Sequence, residues 1–107
     1  MDRLSRKDMV LQMLEKEPGD LFLNYALAQE YIGVDDFVNA ELQLQKTLNL
    51  DLTYLPCYYQ MGQVKEKLGD NAGAIEFYKK GIDLAKAQGN RKAQGELSEA
   101  LWMLEDE

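Results

Sequence analysis

The sequence predicts an all-α protein assembled from stacked helical pairs, and three observations predict it. The chain repeats itself at a spacing of 34 residues: Leu27-Ala28 aligns with Met61-Gly62, Ala40 with Ala74, Leu44 with Tyr78, and Leu48 with Ile82. A fixed period of that length signals supersecondary units that stack into a continuous surface. Proline is confined to Pro18 and Pro56, while good helix formers (Ala, Leu, Gln, Glu, Lys) dominate. Apolar residues recur at spacings of three and four, and no segment alternates with period two, so no strand is expected.

Six helices follow in order. The first is expected over Leu4 to Lys16, with Leu4, Val10, Leu11 and Leu14 on one side. Glu17-Pro18-Gly19-Asp20 ends it, because the residue before a proline avoids the helical region. Asp20 can then cap a second helix, Leu21 to about Gly33. After the break Val34-Asp35-Asp36, a third runs from about Phe37 to Asn49 with Phe37, Ala40, Leu44 and Leu48 on one face. Beyond Asp51-Leu52-Thr53, the fourth carries Pro56 in its first turn, where a missing amide costs nothing, and stops at Leu68-Gly69-Asp70. The fifth covers about Ala72 to Lys86. Past Gln88-Gly89-Asn90, the sixth runs from about Arg91 to Leu104, before the acidic tail Glu105-Asp106-Glu107.

Composition narrows the function. A net charge of −7 opposes binding to nucleic acid, and the short basic cluster Arg3, Arg6, Lys7 does not reverse that field. No apolar run can cross a bilayer and the N-terminus has no apolar leader, so no membrane is expected and the cytoplasm is the default setting. The single Cys57 fits a reducing compartment. With no histidine, no CxxC pair and no phosphate-binding glycine loop, an enzyme, a metal site and a cofactor are not expected.

The two central units resemble the tetratricopeptide repeat, with its pattern W-x2-L-G-x2-Y, A-x3-F, P. The first offers Leu27-Ala28-x-x-Tyr31 and Ala40-x3-Leu44; the second offers Tyr58-x-x-Met61-Gly62 and Ala74-x3-Tyr78. Pro18 falls at the family's closing proline, 34 residues before Leu52. The resemblance implies one domain over residues 1–107: a leading helix (1–20), repeats at 21–54 and 55–88, and a capping helix (89–107), wound as a right-handed superhelix. Asn24 and Lys65 stand where large aromatics are expected. Gly81 replaces a usual alanine inside a helix, at about 1 kcal/mol.

The resemblance also locates a surface. In the family the first helix of each unit lines a groove for a peptide or partner helix. That implies a binding stripe of Phe22, Tyr25, Gln29 and Ile32 in the first unit, and of Pro56, Tyr59, Gln63 and Glu66 in the second. Tyr25 and Tyr59 would then stand on one wall; the alternative is that they pack against neighbouring helices. Members that grip a C-terminal carboxylate use Lys and Asn where this chain has Tyr25, Gln29, Tyr59 and Gln63, so no such clamp is expected. On the last helix, Ala93, Leu97, Ala100, Leu101 and Leu104 form the expected buried face. Trp102, with Met103 at the edge, is left for self-association as a homodimer, the alternative function.

Overall fold

Capping side chains decide where the helices start. In the computed structural model, which describes residues 4–106, the elements are α1 (Arg6–Lys16), α2 (Leu21–Gly33), α3 (Phe37–Leu50), α4 (Pro56–Lys67), α5 (Asn71–Gln88) and α6 (Arg91–Glu105). No strand occurs among the described residues. Ser5, Asp20, Asp36, Asp70 and Asn90 each accept a hydrogen bond from the amide three residues on, at 2.8 to 3.3 Å. These bonds satisfy amides that have no partner within the helix. Only α4 begins without a side-chain cap, and there Pro56 fills the first turn.

Those caps explain the differences from the expected boundaries. Leu4 precedes α1 because Ser5 takes the cap, and α5 is longer at both ends because Asp70 caps it directly and Gly89, at φ 68°, closes it. Asp35 adopts φ 60° at the break between α2 and α3, a left-handed position that aspartate tolerates. Arg3 and Glu107 lie outside the described residues.

The chain divides into two compact units, the first ending at Leu52 and the second beginning at Thr53. In the first, α1 packs on α2 and α2 on α3. Val10 of α1 is buried and Leu14 half-buried, but Leu4 and Leu11 are exposed, contrary to the expected four-residue stripe. Leu4 lies ahead of the helix, and Leu11 is turned about 100° from Val10, off the contact line. Lys7 takes up this face, its Nζ 5.7 Å from the centre of the Tyr31 ring.

Asn24, where an aromatic is expected, is buried and fully engaged. Its Nδ2 donates to the carbonyls of Pro18 (3.0 Å) and Asp20 (2.8 Å), and its Oδ1 accepts from Gln43 Nε2 at 2.7 Å. Thr47 Oγ1 donates to the Gln43 carbonyl. Hydrogen bonding replaces ring packing at the start of this helical pair.

In the second unit, α4 and α6 both pack on α5. The core holds Leu55, Ala74, Tyr78, Ala85, Leu97 and Leu104, with Ala93, Ala100 and Leu101 against it, so the predicted face of α6 is the buried one. Gly81 differs from expectation. A Cβ there would lie 2.9 Å from Tyr58 Cβ and 3.0 Å from Leu97 Cδ2, so the missing side chain is what admits α4 and α6 beside α5. Gly62 does the same for the ring of Tyr78, which a Cβ would penetrate.

Candidate partner-binding cleft

One buried tyrosine organises the site. Tyr78 of α5 has no exposed surface, and its ring lies over Gly62 of α4. Its hydroxyl donates to Glu66 Oε2 and accepts from Gln63 Nε2 at 2.7 Å. The Tyr59 ring stands 6.3 Å from the Tyr78 ring, tilted by 50°, within the range of favourable aromatic pairs. Burial first, and then the hydrogen bond to the Glu66 carboxylate, push the Tyr78 phenol well above the ordinary tyrosine range, while the Gln63 bond pulls the other way. Thus Tyr59, Gln63 and Glu66, spaced by four and three on α4, are all held by a single group on the neighbouring helix.

These three residues form one wall of a cleft of about 360 Å³. The opposite wall comes from α6: Glu96, Glu99, Ala100 and Met103. Its lining is an aromatic ring, a thioether, an amide and three carboxylates. Among the described residues, no lysine or arginine lines it.

The predicted residues fall into distinct positions. Tyr59, Gln63 and Glu66 come together in the cleft, whereas Pro56 is exposed at the start of α4 and is not part of its lining. On α2, Phe22 is 68% exposed and Gln29 exposed, with Tyr25 and Ile32 half-buried. A cleft in the first unit is lined instead by Tyr31 and by α3 residues including Leu42, Gln43 and Lys46. Met103, expected at a self-association edge, lies on the cleft wall, and Trp102 beside it is 67% exposed. Sequence reasoning missed Glu96 and Glu99. Their only signal was a spacing of three and four with Met103, along the border of the buried face.

Known proteins carry the same pattern. The family model for the tetratricopeptide repeat matches residues 55–88. A tetratricopeptide repeat domain protein from Salinibacter ruber, solved in solution, is 34% identical, covering 83% of this chain and 90% of its own, with a TM-score of 0.78. This chain belongs to the tetratricopeptide repeat family. A protein from Bordetella parapertussis shares the fold over 97% of this chain and 90% of its own, at 24% identity and a TM-score of 0.88. The first tetratricopeptide repeat domain of Spaghetti, solved with an HSP90 peptide of sequence SRMEEVD, shares it over 92% of this chain and 76% of its own (21% identity, TM-score 0.75). The six tetratricopeptide helices thus have the fold class of helical-repeat solenoids. Membership of the family speaks for a protein-interaction scaffold. No helix among the described residues is long and apolar enough to cross a membrane.

Proposed function

We propose that this chain is a protein–protein interaction adaptor that holds a peptide or a partner helix by shape and aromatic contact, without catalysis. The observation that carries the reading is the cleft in the second unit, where Tyr59, Gln63 and Glu66 face α6 across a concave surface. Tyrosine supplies large contact area with few rotors to immobilise, and a wall already held by Tyr78 lowers the cost of ordering on binding. In the first unit, Phe22, Tyr25, Gln29 and Ile32 are the corresponding contact residues on α2. A cytoplasmic setting belongs to the same proposal and rests on the single thiol, Cys57.

The test is affinity capture from the source cell, wild type beside Tyr25→Ala/Tyr59→Ala, with bound proteins identified by mass and folding checked by circular dichroism. Loss of a partner in the folded double variant is the expected result. Retention of every partner overturns the groove assignment. A second expectation concerns the ligand end: with Glu66, Glu96 and Glu99 on the lining, the acidic peptide SRMEEVD should not bind.

The exposure of Trp102 favours a second reading, self-association through α6. Sedimentation over a wide concentration range decides it: a mass that rises with concentration in wild type and not in Trp102→Ala supports a homodimer, and a constant monomer mass removes it.

A further inference from the structure

We infer that the cleft between α4 and α6 takes a basic partner segment, with an arginine side chain entered between Tyr59 and the three glutamates. The inference rests on the adaptor reading and names its ligand class. Glu66 approaches from α4, Glu96 and Glu99 from α6, so negative charge lines both walls of one concavity.

Among the described residues, no cation neutralises that charge. No cation lines the cleft, and Lys92, one turn before Glu96, makes no ion pair with it among the described residues. Glu66 is held by the Tyr78 hydroxyl, a neutral donor, so its charge remains to be met from outside. A cation entering between the two walls would gain charge-assisted contacts that a neutral side chain cannot make.

The shape of the site selects the kind of cation. Among the described residues no three acidic groups stand close enough to hold one metal ion. An extended, planar guanidinium can instead meet carboxylates on two walls, because its five donors project in several directions. The Tyr59 ring adds a face for cation–π contact, and Ala100 and Met103 offer apolar surface to the methylene stem. Aromatic, apolar and anionic surfaces therefore occur together, which an acidic helix face alone would not provide.

The test uses the full chain and three pools of end-blocked heptapeptides, random except for a central arginine, citrulline or glutamate. Each pool is passed over immobilised wild type and over Glu96→Gln/Glu99→Gln, whose exposed substitutions leave the core untouched. Citrulline keeps the size and planarity of arginine but carries no charge, with a carbonyl oxygen in place of one guanidinium nitrogen. The expected result is retention of the arginine pool, roughly tenfold weaker for citrulline and for the double variant, with loss on raising salt. Amide shifts on wild type should centre on Tyr59, Gln63, Glu96 and Glu99. Equal retention of arginine and citrulline pools, with shifts in the cleft, overturns the charge inference and leaves the adaptor groove standing. Arginine peptides that leave those amides unmoved overturn the inference, whatever the capture experiment shows of the groove.

Discussion

Glycine at two positions shows how one residue type carries opposite energetics. Gly81→Ala gains helix propensity of about 1 kcal/mol but forces a Cβ against Tyr58 Cβ, an atom close to the α4 backbone that cannot swing away. Overpacking costs about 1–3 kcal/mol, so a lower urea midpoint is expected. Gly95 lies exposed within α6 with no atom near its missing Cβ, and there the propensity gain is unopposed. Gly95→Ala should raise stability by about 0.5–1 kcal/mol in the same assay. A stabilised Gly81→Ala would show that α4 and α6 approach α5 less closely than described. Tyr78 gives a pH-dependent expectation. Its phenol is raised from 10.0, so the folded state binds that proton more tightly than the unfolded chain. The contribution is complete below about pH 10 and declines as pH rises beyond it. Tyr78→Phe should therefore be less stable than wild type by about 1–3 kcal/mol near neutrality, with the gap narrowing above pH 10.

At the scale of the element, polar side chains do much of the positioning. The start of α2 is tied to the preceding turn by Asn24, and to α3 by the bond from Gln43. Removing the Asn24 amide leaves buried Gln43 and the Pro18 and Asp20 carbonyls without these partners. Asn24→Ala should cost about 2–3 kcal/mol, with amide exchange accelerating first around the turn and the start of α2. Asp70→Ala removes the cap of α5, whose amide partner Gly73 is at 2.8 Å in an exposed setting, and with it the partly solvated ion pair to Lys65. A smaller loss of about 1 kcal/mol is expected there. Comparable losses for the two variants would mean that the Asn24 network does no more than a cap.

For the molecule as a whole, the charge balance sets the response to salt. Nineteen acidic residues face twelve basic ones, and ion pairs such as Arg6–Glu30 at 3.9 Å and Lys65–Asp70 at 3.6 Å are partly solvated. Exposed pairs contribute little, so self-repulsion dominates the long-range field. Raising salt from about 0.05 to about 0.5 M should raise the thermal midpoint, because a shorter screening length weakens the repulsion between exposed like charges. A midpoint that falls would show that the ion pairs outweigh the repulsion.

The sequence by itself determined the helices, their punctuation and the repeat. Asp20 and Asp70 act at short range, Pro56 fixes its own φ, and small residues at 28, 40, 62 and 74 recur because each helical pair must approach closely. It also marked Tyr59, Gln63 and Glu66 as one face of α4, since their spacing follows from helical geometry alone. Only the tertiary structure decided what that face meets. Asn24 and Gln43 are 19 residues apart, Tyr78 and Glu66 are 12 apart, and Glu96 is 30 positions beyond Glu66, so no local period relates them. Whether Gly81 weakens a helix or admits two neighbours, and whether three glutamates are scattered or share a cleft, depends on contacts between helices. Those contacts arise from close packing of side-chain shapes, which residue spacing along one helix does not encode.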